Sequence, residues 1–141
     1  MRNNEHPTKR LNILKSLALK RKLSDNNEFT NLFLPLKLSG QKQKALLDTG
    51  ASNSVIRKSL AQNLIKQGKA KKIKVKSSNP ISACGHTINL CDAIKLTVRI
   101  GYFSWRIVFY ISDVIPCDII LGIDFLSKTK AIINVADRTL N

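Results

Sequence analysis

Apolar and polar residues alternate along two separated stretches, and this alternation limits the folds open to the chain. Residues 32–38 read LFLPLKL, with leucine at every second position, and residues 95–100 read KLTVRI. Successive side chains of a β-strand point to opposite faces of the sheet, so each stretch predicts a strand with one buried face. Pro35 has no N–H group and is therefore expected on an edge strand or at a bulge.

Short apolar runs elsewhere predict more strands, at residues 45–47, 105–111, 119–121 and 131–135. SGQKQ after Leu38 and GYFS after Ile100 have the composition of hairpin turns, and NPISACGHT predicts a turn between two extended segments. Strands at intervals of roughly 8–12 residues are typical of a closed β-sheet. We therefore predict a mainly β barrel with one or two short helices.

One helix is predicted within NSVIRKSLAQNLIKQG, where apolar residues fall on roughly one side of a helical projection. Asn53 is a candidate N-cap and Gly68 a candidate C-cap. Residues 66–76 follow with six lysines and no acid, which indicates a surface segment. A second, shorter helical turn is expected after Gly122.

The N-terminal residues 1–28 differ from the rest because basic residues dominate them and the polar run SDNNE ends them. They predict a flexible basic tail or linker, with a marginal helix around residues 11–18, before a single domain at residues 29–141. The chain has no secretory signal and no apolar run long enough to span a membrane. We therefore expect an intracellular protein with no membrane partner.

Twenty-four Lys and Arg residues against nine Asp and Glu residues give a formal net charge of +15. Such an excess predicts attraction to polyanions, including nonspecific contact of the basic tail with RNA or DNA. Solvated surface lysine is the simpler interpretation, and the few aromatic residues form no base-stacking pattern.

The three cysteines, Cys84, Cys91 and Cys117, are an odd number at wide spacing, which argues against a disulfide framework. CGHTINLC also places His86 between two of them. A structural zinc site needs four ligands, commonly with a close cysteine pair, and only the distant Cys117 could complete this set. We therefore expect free thiols, no metal and no cofactor.

The most informative polar residue is Asp48, in the stretch ALLDTGASNSVI. It follows the strand predicted at residues 45–47 and precedes Thr49 and Gly50, where glycine permits a positive φ and close backbone approach. Such an aspartate can simply form a turn. Placed about 3 Å from a second carboxylate, it would instead share one proton with it and could activate water.

LLDTGAS is followed about 70 residues later by CDIILGIDFLSKTKAIINV. The two motifs together resemble the retropepsin family, the aspartic proteases of retroviruses and LTR retrotransposons, and the second motif is similar to the Ty3/gypsy branch. The resemblance covers roughly residues 29–138. It implies an acid-protease barrel and an aspartic-type endopeptidase that hydrolyses a Gag-Pol-like polyprotein, in the cytoplasm or in virus-like particles.

By this resemblance Asp48 is the catalytic residue, and Thr49 links the active-site loops of two subunits. Gly50 would contact the substrate backbone, while Ala51 and Ser52 line the floor of the cleft. Gly122 corresponds to the glycine that supports the active-site loop.

The same resemblance implies that NPISACGHT is the flap, with Ile81, Ser82 and Ala83 contacting an extended peptide. This flap holds only Gly85, whereas flaps of the best-known retroviral enzymes are rich in glycine. Ile123 and Asp124 follow Gly122 where retroviral enzymes often have arginine. We expect Asp124 to be a surface residue or a helix N-cap rather than a second catalytic acid.

No other aspartate of the chain is followed by Thr-Gly or Ser-Gly. A two-fold homodimer would supply the second carboxylate from another copy of Asp48. The resemblance implies that terminal strands close such a dimer, and the segment Ile132–Val135 is the candidate. The alternative is an inactive retropepsin-like module that dimerises or binds peptides and carries a nucleic-acid-binding tail.

Overall fold

The computed structural model describes residues 21–22, 32–75, 81–83, 86–88 and 92–141. The strands are β1 (Arg21–Lys22), β2 (Phe33–Leu38), β3 (Gln41–Leu47), β4 (Val55–Arg57), β5 (Lys72–Lys74), β6 (Ile81–Ala83), β7 (His86–Ile88), β8 (Asp92–Ile100), β9 (Phe103–Ser112), β10 (Ile119–Leu121), β11 (Ile133–Asn134) and β12 (Thr139–Leu140). The helices are α1 (Lys58–Lys66) and α2 (Ile123–Lys128). The helix predicted around residues 11–18 lies outside the described residues, as do Cys84, Gly85 and Cys91.

Six strands form the barrel, in the order β2, β3, β10, β4, β9, β8. The barrel closes because β8 returns to β2, with Lys37 opposite Arg99 and Leu38 opposite Val98. β5 pairs with the first residues of β8, on the same edge that β2 joins farther along the strand. The closed β-barrel with two short helices confirms the predicted fold class.

The β2–β3 hairpin shows why the alternating sequence forms this sheet. Six residue pairs join the strands, from Phe33 opposite Leu46 to Leu38 opposite Gln41. The turn places Ser39 at φ 47° and Gly40 at φ 85°. The alternate leucines of β2 are buried, as predicted. Pro35 has only β3 beside it, because β8 pairs with β2 only farther along the strand. Its missing N–H group therefore takes no hydrogen bond away from a second neighbouring strand.

The core fills the inside of the barrel and the space beneath α1 and α2. Phe109, on β9, and Phe125, on α2, are the largest fully buried side chains. Trp105 packs edge-on against Phe125 with ring centroids 5.8 Å apart, which fixes α2 against the barrel. Burying one such side chain contributes roughly 1.5–3 kcal/mol.

The first helix begins later than predicted. Val55 and Ile56 belong to β4, which lies between β10 and β9 and buries both side chains completely. The residue that caps the helix is Arg57, so the prediction of Asn53 as N-cap was wrong. The C-terminal prediction was close, since Gln67 is the C-cap and Gly68 follows at φ 70°.

The chain after α2 folds back on itself. The strand predicted at residues 131–135 is shorter, because β11 covers only two residues before a turn leads into β12. β1 pairs with the opposite edge of β12. Among the described strands, β11 therefore has one neighbour and one open edge.

The segment predicted as the flap contains two antiparallel strands, in which Ile81 pairs with Ile88, and Ala83 with His86. The two extended segments are therefore found, while the turn predicted between them lies outside the described residues. No helix within the described ranges is long and apolar enough to cross a membrane.

Candidate active site

The candidate site forms where the ends of three strands meet. β3 and β10 run parallel, with Leu46 opposite Ile120 and Leu47 opposite Leu121. Asp48 follows β3, and Gly122 follows β10, so the two residues emerge side by side. β4 runs antiparallel to β10 and starts at this same end. The loop of residues 48–54 is thus held between strands at both of its ends.

Backbone hydrogen bonds fix the half-buried Asp48 in this loop. Its N–H donates to the carbonyl of Leu121 at 3.1 Å, and its own carbonyl accepts from the N–H of Ala51 at 3.1 Å. The N–H of Gly50 donates to Asp48 Oδ1 at 2.9 Å. The carboxylate is therefore oriented by the turn that follows it.

Gly50 serves this turn through close approach rather than through its φ angle. Among the described glycines a positive φ occurs at Gly40, Gly68 and Gly101, and Gly50 does not use the positive φ that glycine permits. A Cβ at Gly50 would lie 3.2 Å from Asp48 Oδ1. A side chain there would crowd the carboxylate that the Gly50 amide binds.

Gly122 lies directly against the loop that carries Asp48. A Cβ at this position would be 2.7 Å from the carbonyl oxygens of both Ala51 and Asn53. The next amide, Ile123 N–H, donates to the Ala51 carbonyl at 2.9 Å. Only glycine lets the two backbones approach this closely, and the contact supports the loop from beneath.

Asp124 and Ser54 form a second link between α2 and the same loop. The N–H of Ser54 donates to Asp124 Oδ2 at 3.0 Å, and the Ser54 hydroxyl donates to Oδ1 at 2.8 Å. Ser54 Oγ also accepts from the N–H of Gly122 at 3.2 Å. Ser54 is fully buried, so this network replaces the water its hydroxyl would otherwise bind.

The expected role of Asp124 as a surface residue or N-cap was therefore wrong. Gly122 is the N-cap of α2, and Asp124 lies in the first turn with its carboxylate directed at Ser54. The sequence suggested an N-cap because aspartate is a preferred residue at that position. Nothing in the sequence pairs it with a serine 70 residues away.

Three other predicted site residues, Thr49, Ala51 and Ser52, lie in the same loop as Asp48. Thr49 and Ser52 are exposed, and Thr49 borders a shallow groove of about 480 Å³ that α2 and Ile133 help to form. Ala51, predicted on the cleft floor, has a fully buried side chain that packs with Leu46. Residues 81–83 form β6.

Cys117 is half-buried on the segment leading into β10, and its thiol donates to the carbonyl of Ile119 at 3.4 Å. Burial raises the pKa of the Cys117 thiol, and the charges of Asp118 and Asp48 raise it further. The hydrogen bond and the charge of Arg57 oppose this rise. Within the described ranges no three His, Cys, Asp or Glu residues are grouped to hold a metal ion.

The sequence matches the family model for the gag-polyprotein putative aspartyl protease over residues 34–128, more than half of the chain. The chain belongs to this family. The resemblance drawn from LLDTGAS and IILGIDFL is confirmed by the match, which includes both motifs. No curated protein matches the sequence.

Solved structures of similar fold agree with this membership. The retroviral protease-like domain of Ddi1 from Leishmania major has a TM-score of 0.61 at 24% identity, covering 81% of this chain and 89% of that one. EIAV protease in complex with the inhibitor HBY-793 has a TM-score of 0.58 at 19% identity, covering 79% of this chain and 100% of that one. A retropepsin-like aspartic protease from Rickettsia conorii has a TM-score of 0.58 at 19% identity, covering 86% of each chain. The chain is a retropepsin-like aspartic protease domain.

Proposed function

We propose that the chain is an aspartic endopeptidase in which Asp48 supplies one carboxylate of the catalytic pair and Asp48 of a second copy supplies the other. The observation that carries the proposal is the fixed Asp48 carboxylate, held by the Gly50 amide where β3 and β10 end, in a chain of an aspartyl protease family. Gly122 and the Ser54–Asp124 network would keep this carboxylate in place during the reaction.

Three of the other acids near the barrel already have partners of their own, which favours a second copy as the source of the missing carboxylate. Asp124 binds Ser54, Asp118 pairs with Arg57 at 2.9 Å, and Asp92 pairs with Lys72 at 2.9 Å. Each of these carboxylates already has a partner away from Asp48. Two-fold symmetry is the simplest way to bring an equivalent acid to the site.

Exposed apolar side chains support such a dimer. Thr49 is exposed beside the shallow groove, and Ile123, Ile132 and Val135 are 41%, 65% and 70% exposed. Large apolar side chains on a single copy gain free energy when a partner covers them. The open edge of β11 can also accept a strand from that partner, as predicted for the segment Ile132–Val135.

The paired carboxylates would hydrolyse a peptide bond without a metal. Two like charges a few ångströms apart share one proton. The ionised carboxylate would take a proton from water, which attacks the scissile carbonyl carbon, while the protonated one donates to the carbonyl oxygen. The newly protonated carboxyl would then donate its proton to the peptide nitrogen as the C–N bond breaks, and a hydroxyl of the intermediate would return a proton to the other carboxylate, leaving a carboxylic acid and an amine. The substrate would lie extended, with Gly50, Ser52 and strand β6 (Ile81, Ser82, Ala83) in contact with it.

The proposed substrate is a Gag-like polyprotein, in keeping with the description of the family. Residues 29–141 would form the protease domain and residues 1–28 a basic tail able to touch RNA or DNA. Because the Leishmania major structure is named as a domain of Ddi1, the fold alone does not choose the substrate. Digestion of a purified Gag-like polyprotein, compared with an unrelated unfolded protein, tests this choice.

The central test is Asp48→Asn, assayed with fluorogenic peptides that place hydrophobic residues on both sides of the cleaved bond at mildly acid pH. Acid–base catalysis contributes about 10²–10⁴-fold, so we expect turnover to fall at least about a hundredfold. Pepstatin should inhibit the unmodified protein. Asp113→Asn, a change of the same chemistry at an exposed position, is the matched control and should retain turnover.

Two outcomes would overturn parts of the proposal. Cleavage retained by the Asp48→Asn protein, after removal of contaminating proteases, would show that Asp48 is not the catalytic acid. An unmodified protein that dimerises and binds peptides but cleaves none of them would favour the inactive module instead.

A further inference from the structure

A basic groove of about 1210 Å³ lies beside the active-site loop. One wall is the outer face of the β2–β3 hairpin, and the other includes Arg57 and the residues that lead into β10. Five basic side chains line it against one acid, Asp118, and that acid is paired with Arg57. The basic side chains are Lys37, Lys42, Lys44, Arg57 and Arg99.

Three of these cations lie in a row across adjacent strands. Lys37 on β2 is directly opposite Lys42 on β3 and directly opposite Arg99 on β8. All three are exposed on the outer face of the barrel. Directly opposed residues have Cβ atoms about 4.5–5.5 Å apart, and like charges in such positions destabilise the sheet. The repulsion among these three side chains therefore lowers the stability of the protein by itself.

Nearby acids do not offset this repulsion. The ion pairs Arg57–Asp118 and Lys72–Asp92 involve other basic residues, and no described acid forms an ion pair with a side chain of the row. Arg99 Nε donates to the carbonyl of Gly101 at 3.1 Å, which orients the guanidinium without neutralising it. An anionic ligand in the groove would be attracted by all three charges at once.

The groove is not purely polar, and its lining includes residues close to the candidate active site. Phe33, Pro35, Leu46 and Pro116 contribute apolar surface to its lining. Leu46 lies on β3, two residues before Asp48. Cys117 also lines the groove, and the charge of Asp48 is close enough to raise the pKa of its thiol. A ligand bound to the basic row can therefore continue toward Asp48.

We propose that this groove binds acidic residues of the polypeptide substrate that flank the cleaved bond. The inference rests on the proposed peptidase function and adds a substrate class to it. Apolar side chains of the peptide pack on the floor, while Asp or Glu side chains lie against Lys37, Lys42 and Arg99. In a two-fold dimer each copy carries one groove, so acidic residues on either side of the bond can be bound.

An acidic peptide fits this groove better than a nucleic acid. Alternate side chains of an extended peptide recur at about 7 Å on one face, so a Glu-x-Glu sequence places two carboxylates along the basic row. Single-stranded nucleic acid is held by aromatic side chains on which successive bases stack. Phe33 is the one aromatic residue of the lining, and it is only partly exposed.

The experiment compares three peptides with the same hydrophobic cleavage sequence and flanks of Glu-x-Glu, Gln-x-Gln or Lys-x-Lys. We expect kcat/KM to be highest for the Glu peptide, mainly through a lower KM, and its advantage to shrink as salt screens the charges. In the Lys37→Gln/Lys42→Gln protein, the ratio of kcat/KM for Glu and Gln peptides should fall about three- to tenfold, as expected for two exposed charge interactions.

The matched control is Lys69→Gln/Lys71→Gln, which removes the same charge from exposed positions outside the groove lining. It should keep the preference for the Glu peptide. Thermal unfolding by circular dichroism shows whether both double variants remain folded. If the groove double variant unfolds, the single change Lys42→Gln replaces it. We expect that change to give about half of the fall in the kcat/KM ratio on a logarithmic scale.

Binding to the Asp48→Asn protein, measured by fluorescence anisotropy with the same three peptides, makes the result independent of turnover. Suppose that the unmodified protein cleaves no peptide, but the Glu peptide binds best and loses this advantage when Lys37→Gln/Lys42→Gln is added. The peptidase proposal then fails, while the proposed binding of acidic peptides in the groove is supported. Equal binding of Glu and Gln peptides overturns the groove proposal whether or not cleavage occurs. It is also overturned if the control double variant loses the preference equally, or if an RNA oligomer displaces the Glu peptide at lower concentration than unlabelled peptide does.

Discussion

At the residue scale, Gly68 and Gly122 show two different physical reasons why a position requires glycine. Gly68 ends α1 at φ 70°, and a Cβ there would meet no atom within 4 Å. Gly122 has φ −94°, which any residue adopts, but its Cβ would be 2.7 Å from two carbonyl oxygens. Gly68 is therefore required by backbone conformation and Gly122 by close packing.

This difference predicts that replacing each glycine with alanine lowers the free energy of unfolding by a different amount. Gly68→Ala should lower the free energy of unfolding by about 1–2 kcal/mol, the cost of a left-handed conformation. Gly122→Ala must displace the backbone of the active-site loop and should cost about 3 kcal/mol or more, at the upper end for overpacking. Urea unfolding at fixed protein concentration measures both. Equal effects of the two changes would contradict the packing argument.

Gly122→Ala should also change turnover more than stability alone explains. The displaced carbonyls belong to Ala51 and Asn53, in the loop that orients Asp48. Gly68→Ala, at the far end of α1, should leave kcat close to the unmodified value under conditions where the protein is folded. Peptide turnover well below the unfolding temperature separates the two effects.

At the scale of elements, the Ser54–Asp124 network joins α2 to the start of β4. The helix has only six residues, too few to be stable alone, so its position depends on tertiary contacts. The Asp124 carboxylate accepts from the Ser54 hydroxyl, the Ser54 amide and the Phe125 amide. One side chain thus fixes both the first turn of α2 and the end of the active-site loop.

A double-mutant cycle with Ser54→Ala and Asp124→Asn measures this link. The single changes should each destabilise the fold, and their effects should be non-additive by about 0.5–3 kcal/mol because the residues share a hydrogen bond. Asp113→Asn should change stability by less than about 0.5 kcal/mol, since that side chain is exposed. Urea unfolding of the four proteins of the cycle gives the coupling, and simple additivity would contradict the network.

At the scale of the whole molecule, net charge and apolar surface oppose each other in the proposed dimer. Each copy carries a formal charge of +15, so two copies repel at low ionic strength. Ile123, Ile132 and Val135 provide the apolar surface that favours association. Moderate salt should therefore strengthen the dimer, whereas it should weaken binding of acidic peptides in the groove.

Dilution tests the dimer directly. Specific peptidase activity should fall as the protein is diluted below its dimer dissociation constant, because a single copy holds one Asp48. Ile132→Asp should raise that constant tenfold or more, equivalent to about 1.4 kcal/mol, since it places a charge in the proposed interface. Sedimentation velocity measures the association.

Val114→Asp is the matched control for this change, because Val114 is similarly exposed at 61% and lies on the segment between β9 and β10. It should leave the dissociation constant unchanged. Activity that stays constant on dilution, in a protein shown to be monomeric, would contradict a site shared between two copies.

Local signals in the sequence determined much of this protein. Alternating leucines predicted β2 because a strand with one buried face requires that period, and Ser39-Gly40 predicted its turn because that pair accepts positive φ. Asp48-Thr49-Gly50 together with IILG indicated the family, which the match over residues 34–128 confirms. These features depend on neighbours within a few residues, and a sequence displays them directly.

Only the tertiary structure decided where distant segments meet. Val55 and Ile56 continue a helical pattern in the sequence, yet they form β4 because β9 and β10 lie on either side and bury both β-branched side chains. The partner of Asp124 was hidden because a hydrogen bond across 70 residues leaves no local pattern. The row of Lys37, Lys42 and Arg99 likewise exists only through the register of three strands, since barrel closure sets which charges face each other.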